Sequence, residues 1–337
     1  MLWSLLFFAS AVAGPAPAAS PEDVLTVYSA RHYQSDRELF EDFTRRTGIR
    51  VNLVQGGEDE LLERIRSEGA SGPADVFITV DAARLGEADQ MGLFAPVRSE
   101  VLERRIPANL RTATWFAFSK RARLIVFHKA STARADVQTY EDLAAPRLKG
   151  KVCVRSGAHP YNVSLGAAMI THLGEEGTER WARGLVANFA RAPTGGDTDQ
   201  IRAVASGECQ VALVNSYYLA RLMRSDKPWD RDAVSRIGVV WPNQRKRGTH
   251  VNVSAGGVLR TARHPDAAVK LLEFLTSDSA QVRFADADNE WPVARTARVS
   301  NPALERLGTF KTDSLDVGTL ARNAPLARQI FARAGWR

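Results

Sequence analysis

Six tyrosines occur in the chain, and four of them stand at three places where a strand-like run gives way to a helix-like one. The densest is Val214-Asn215-Ser216-Tyr217-Tyr218-Leu219-Ala220-Arg221, which follows the apolar run Gln210–Val214 and precedes Leu219, Leu222 and Met223 at helical spacing. On a continuing strand two successive phenols would point to opposite faces. In the first turn of a helix, with Ser216 as N-cap, they diverge by only about 100°. Both hydroxyls then reach one point beyond the carboxyl end of the strand, where open α/β sheets place their ligands. The other two turns are Ser29-Ala30-Arg31-His32-Tyr33 and Ser156-Gly157-Ala158-His159-Pro160-Tyr161. A single loop tyrosine is ordinarily an amphipathic surface residue, and a tyrosine pair can simply pack at a domain surface. Three coincident turns favour a shared task.

The chemistry open to clustered phenols is the binding of a hard, highly charged cation. Phenol titrates near pH ~10, so an unassisted tyrosine is a neutral, weak ligand. A bound cation stabilises the phenolate. Hard oxygen anions suit hard metals, whereas zinc and copper prefer imidazole and thiolate. Three phenolates neutralise Fe(III) and a fourth leaves one negative charge. Arg221, three residues past Tyr218 and on roughly the same helical face, is placed to offset that charge from outside the coordination shell, although a helix arginine is equally at home in solvent. His32, beside Tyr33, offers a nitrogen ligand or is a surface residue of the turn. His159 reads as structural, and the remaining histidines lie away from the three turns. Each phenol that binds loses its proton, so affinity should fall as pH drops.

The elements that must position these turns alternate. Val24–Tyr28, Ile49–Val54 and Ala74–Val80 read as strands. Helices between and after them cover Leu39–Gly48, Glu58–Ser67 and Ala82–Met91, the first opened by the capping box Ser35-Asp36-Arg37-Glu38. Trp115–Phe118 and Leu124–Phe127 are strands with little helix between them, which marks a crossing into a second α/β series: strand 151–155, helices 162–173, 178–189 and 198–206, then the strand before the tyrosine pair. Val251–Ser254 marks the return crossing, and the tail is mostly helical. The expected fold is α/β, two-lobed and hinged, with the site in the cleft between lobes. The expected lobes are 21–118 plus 249–297 and 119–248 plus 298–337.

Composition narrows the class. With 337 residues, 45% hydrophobic and 25% charged, the chain can bury two ordinary cores. Residues 1–20 carry an apolar run followed by small residues and read as a signal peptide, although no Lys or Arg precedes Arg31. Export to the periplasm as a soluble, unanchored protein is the expectation. The net charge of +7 is scattered among acidic residues without interleaved aromatics, which argues against nucleic acid. Cys153 and Cys209 are too few for a zinc site, and a disulfide between them is plausible in an oxidising compartment. No G-x-x-x-x-G-K-[ST], H-E-x-x-H, G-x-S-x-G or Rossmann fingerprint is present, so neither an ATPase nor a common hydrolase or dehydrogenase is indicated.

At these residues the chain resembles the periplasmic ferric-ion-binding proteins of bacterial ABC importers, in particular the tyrosine-rich branch shared with cyanobacteria. The resemblance runs through Tyr28-Ser29-Ala30-Arg31-His32-Tyr33, Pro73-Ala74-Asp75-Val76, Pro107–Arg111, Gly184–Arg191, Gly248–Asn252 and Ala334–Arg337. It implies the type II binding-protein fold, with Fe(III) as transported cargo held by Tyr33, Tyr161, Tyr217 and Tyr218. His32 is then a possible fifth ligand, and the partner is the permease of the inner membrane, reached as a monomer. The loop Ser156–Pro160 departs from the family pattern and leaves the approach of Tyr161 open. A receptor of the same fold for an oxyanion or organic acid, cradled by helix N-termini, and a metal-dependent enzyme are the competing readings.

Overall fold

Alternation of apolar runs and amphipathic helices produces the architecture that the spacing predicts, with the strands drawn together around one long element. The computed structural model describes residues 24–31 and 33–337; the expected signal segment 1–20 and His32 lie outside the described residues. In chain order the first elements are β1 (Val24–Ser29), α1 (Ser35–Thr47), β2 (Arg50–Gln55), α2 (Glu58–Glu68), β3 (Val76–Thr79), α3 (Ala82–Gln90), α4 (Glu100–Arg105) and β4 (Trp115–His128). There follow β5 (Val152–Cys153), α5 (Pro160–Ala187), α6 (Asp197–Ser206), β6 (Val211–Asn215), α7 (Ser216–Met223), α8 (Pro228–Arg236) and β7 (Ile237–Val240). The chain ends with β8 (Val251–Val258), α9 (Pro265–Leu275), α10 (Asp278–Asp288), β9 (Trp291–Pro292), α11 (Pro302–Leu307) and α12 (Val317–Ala334).

The strands run in the order β2-β1-β3-β8-β4-β6-β5, with β7 and β9 also paired to β4. β2, β1 and β3 are parallel, as βαβ units require; β8 is antiparallel to β3 and to the first half of β4. From Arg123 onward β4 changes partners, pairing antiparallel with β6 and β7. Two sheets therefore share one strand. That strand is continuous where sequence suggests two, because the intervening Ser119, Arg121 and Arg123 are buried polar residues on one face, each at most 2% exposed. Their side chains break the apolar pattern without breaking the ladder.

The expected capping box at Ser35 does not form. Gln34 is the N-cap without a side-chain cap bond, and the Ser35 hydroxyl donates instead to Asp288 Oδ1 at 2.7 Å. The two helices expected over 162–189 are continuous in hydrogen bonding but kink at Gly174, whose φ of 71° suits glycine. Packing of α12 on both α3 and α5 draws the core around β1, β3 and β8 into contact with the start of α5. Cys153 and Cys209 are joined as a disulfide across Cα atoms 5.8 Å apart, tying β5 to the approach to β6. Closing that loop, with a sequence separation of 56, removes denatured-chain entropy worth about 4 kcal/mol.

Candidate metal centre

Three helix or strand termini deliver the tyrosines, and a buried ionic hub sets the geometry of two of them. Asp197, the first residue of α6, is fully buried; its carboxylate accepts from Arg123 Nη1 at 2.7 Å, from the Asn215 backbone N–H at 2.6 Å and from Arg155 Nη1 at 3.3 Å. Arg123 also donates to Asn162 Oδ1 at 2.7 Å and to Asn215 Oδ1 at 3.2 Å. One residue of α5, one of α6 and the β6–α7 junction are thus fixed to a single guanidinium. Tyr161 and Tyr217–Tyr218 are the immediate neighbours of Asn162 and Asn215. Asp197→Ala would leave Arg123 buried and unpaired, and denaturant unfolding should show a loss of about 3–5 kcal/mol.

The N-cap of α7 is Asn215, not Ser216. Ser216 is the first helical residue and its hydroxyl accepts the Ala122 backbone N–H at 3.2 Å, pinning the turn to β4. Tyr217 and Tyr218 keep their places in the first turn, with ring centroids 4.3 Å apart and planes 30° from parallel. Tyr161 stands at the second position of α5. His159 caps that helix: its Nδ1 accepts the Tyr161 N–H at 3.3 Å, and its ring lies edge-on to the Tyr161 ring at 4.3 Å. Burial, reinforced by Arg155 and Arg123, depresses the His159 pKa to about 3, so the ring is a neutral acceptor there.

The phenols converge. Tyr161 Oη and Tyr217 Oη are 2.8 Å apart, and the Tyr33 ring meets the Tyr217 ring edge-on at 6.4 Å. Tyr33 comes from the β1–α1 turn, so side chains from both sheets share one space. A cleft of about 460 Å³ lined by Tyr33, Gln34, Arg37, Leu53 and Gln55 opens beside it. Burial raises the Tyr33, Tyr161 and Tyr217 pKa values well above the ordinary phenol range. Neighbouring acidic groups raise them further: Glu290 for Tyr33, Tyr218 for Tyr161, and Tyr161 and Tyr33 for Tyr217. Arg121 opposes the rise at all three.

Arg121 is the residue that sequence reasoning missed. It is 1% exposed, its guanidinium lies 5.7 Å from the Tyr161 ring centre, and its Nε and Nη2 have no hydrogen-bond partner among the described residues. Arg155 stands 5.1 Å from the same ring and Arg31 4.5 Å from the Tyr33 ring. Arg221, singled out by spacing, is exposed, with its guanidinium 5.9 and 5.4 Å from the Tyr217 and Tyr218 rings. The signal for Arg121 was its alternation with Ser119 and Arg123 between two apolar runs, which on a strand puts all three on one face. Among the described residues no group of three or more His, Cys, Asp or Glu is arranged to hold a metal ion.

A family model described as bacterial extracellular solute-binding protein matches residues 38–312. The chain belongs to this family. Within it, this solute-binding protein is 47% identical over 315 residues to Iron uptake protein A1 of Synechocystis sp., covering 93% of this chain and 87% of that one. A solved Trichodesmium protein (IdiA, FutA), described as in complex with iron and citrate ligands, superposes with a TM-score of 0.90 at 46% identity, covering 93% of this chain and all of that one. The ferric binding protein from Campylobacter jejuni superposes with a TM-score of 0.87 at 39% identity, covering 93% of this chain and all of that one. The fold is accordingly the mixed α/β binding-protein fold, and the protein is a binder rather than an enzyme. Among the described residues no helix is long and apolar enough to cross a membrane.

Proposed function

We propose that this solute-binding protein captures Fe(III) outside the inner membrane and delivers it to the permease of an ABC importer, with Tyr33, Tyr161, Tyr217 and Tyr218 as phenolate ligands and His32 as a fifth. The observation that carries the reading is the meeting of Tyr161 and Tyr217 hydroxyls at 2.8 Å, with the Tyr33 ring 6.4 Å from that of Tyr217. Two buried phenols so close cannot both ionise unaided, and a trivalent cation between them removes the obstacle. Tyr161, Tyr217 and Tyr218 lie in first helical turns, where unpaired N–H groups and the helix dipole favour anions. Fe(III) with four phenolates carries one negative charge, and Arg121, with unpartnered N–H groups beside the rings, balances it from within the protein. Arg221 does so from the solvent side.

The names of the relatives agree with this cargo. The lobes 21–118 plus 249–297 and 119–248 plus 298–337 would turn about β4, the strand common to both sheets, and its neighbour β8 to admit and release the ion. The oxyanion reading draws on the same unpartnered Arg121 groups, and colour separates the two. Ferric nitrilotriacetate titrated into metal-free protein should give a visible phenolate-to-iron charge-transfer band that saturates at one ion per chain. A colourless end point with no metal retained after desalting would overturn the assignment.

A further inference from the structure

Arg155 stands just past β5, and its backbone is held from two sides. Its carbonyl accepts from Asn162 Nδ2 and from the Trp336 indole N–H, each at 3.1 Å. Its side chain is 14% exposed, and Nη1 donates to Asp197 Oδ1 at 3.3 Å. Asp197 is already satisfied without it. That carboxylate takes Arg123 Nη1 at 2.7 Å and the Asn215 backbone N–H at 2.6 Å, both shorter contacts. Two guanidinium groups around one carboxylate leave a surplus positive charge. The surplus faces the tyrosines: the Arg155 guanidinium lies 5.1 Å from the Tyr161 ring centre and within hydrogen-bond reach of the Tyr218 side chain. Its Nε has no hydrogen-bond partner among the described residues. Tyr161 is the residue before Asn162, so the amide that fixes the Arg155 carbonyl also fixes the start of α5.

We infer that Arg155 is a positioning residue for Tyr161 and Tyr218, presenting to both a guanidinium whose place is set by Asp197 and by its own pinned backbone. The inference rests on those two tyrosines being ligands. Both contacts favour the iron-bound form. A guanidinium donates to a phenol oxygen and more strongly to a phenolate, so the contact with Tyr218 survives loss of the proton and tightens. A cation beside the Tyr161 ring is likewise held more strongly once that ring carries negative charge. A role confined to Asp197 would be the same with and without iron.

The discriminating variant is Arg155→Gln, which removes the charge and leaves Asp197 its two shorter contacts. Fe(III) affinity is measured by competition with nitrilotriacetate in the parent and in Tyr161→Phe, Tyr218→Phe and Tyr33→Phe backgrounds, with the visible band recorded for each. Expected in the parent is an affinity loss of about thirtyfold, the worth of one hydrogen bond to a charged group. The charge-transfer band should move to longer wavelength, because a phenolate without its cation gives up electron density more readily. In Tyr161→Phe and in Tyr218→Phe the cost of Arg155→Gln should shrink at least about threefold. In Tyr33→Phe, whose ring neighbours Arg31, the cost should be unchanged. No loss in the parent, an undiminished loss in either of the first two backgrounds, or an equal reduction in Tyr33→Phe would overturn the inference while leaving the tyrosines as ligands. A lowered affinity with an unmoved band also counts against positioning. If Arg155→Gln fails to fold, Arg155→Lys carries the same cycle: it keeps the charge, loses the planar fork, and should cost about threefold to tenfold in the parent. If Tyr161→Phe and Tyr218→Phe themselves bind as tightly as the parent, the ligand reading fails and the inference falls with it.

Discussion

With Tyr217 or Tyr161 replaced by phenylalanine, Fe(III) is expected to bind at least about a hundredfold more weakly and to lose much of its visible absorption. The magnitude comes from sharing a typical closed-site metal binding free energy of about 10–16 kcal/mol among four or five ligands, which assigns each about 3 kcal/mol. The two residues should behave alike because their hydroxyls are bonded to each other at 2.8 Å. Losing either oxygen removes a donor and leaves the other hydroxyl without its partner. The fold should be little affected, since phenylalanine keeps the ring contacts of Tyr217 with Tyr33 and Tyr218, and a lost neutral hydrogen bond costs only about 1 kcal/mol. Tyr140→Phe is the informative control. Its hydroxyl donates to Arg123 O and accepts the His250 backbone N–H at 3.1 Å, so it serves the fold alone. It should lower stability and leave iron affinity unchanged. If Tyr161→Phe and Tyr217→Phe both bind ferric nitrilotriacetate as tightly as the parent, this cluster is not the metal centre.

The tyrosine turns were legible in the sequence because phenols after strand-like runs are conspicuous and because helix geometry turns adjacency into convergence. The alternating strands and helices of the first sheet were legible for the same reason: Leu25, Val27, Val76 and Ile78 are fully buried, as an apolar run predicts. The sequence hid whatever depends on long-range polar contacts. Ser35 and Ser216 have the residue type of caps, yet each spends its hydroxyl on a distant partner, Asp288 and the Ala122 N–H respectively. Local propensity yields there because a buried donor or acceptor must be satisfied wherever the fold supplies a partner. Arg121, Arg123 and Glu290 were not singled out from the scattered charge of the chain. They are buried because each meets counter-charge, amide or hydroxyl groups from segments 36 to 259 residues away, a pairing that no periodicity announces. Spacing along a helix pointed to Arg221 as the balancing cation, and it does stand near the rings. The guanidinium in low dielectric is Arg121, where a charge acts with far less screening.

The second large effect is on pH. Tyr33, Tyr161 and Tyr217 all have pKa values raised by burial above that of a free phenol, so in the metal-free protein they are protonated throughout pH 5–9. On the proposed reading each is a phenolate in the iron-bound form. Binding therefore releases three protons from these groups alone, and the sign follows: the free state binds more protons, so lowering pH favours it. At constant free Fe(III) activity the binding constant should rise by about a factor of ten per pH unit for each proton released. For three phenols that is about a thousandfold between pH 6 and pH 7. No plateau is expected in the window, because none of the three titrates inside it before the metal arrives. Proton uptake or release on mixing with ferric nitrilotriacetate, corrected for the chelate alone in weakly buffered solution, gives the stoichiometry directly. Tyr161→Phe should lower the count by one. A count near zero would mean that the phenols stay protonated beside the ion, and the same result would remove the explanation for the predicted colour. Acidification is then the simplest release signal available to this centre, since a fall of one pH unit undoes what about 4 kcal/mol of coordination supplies.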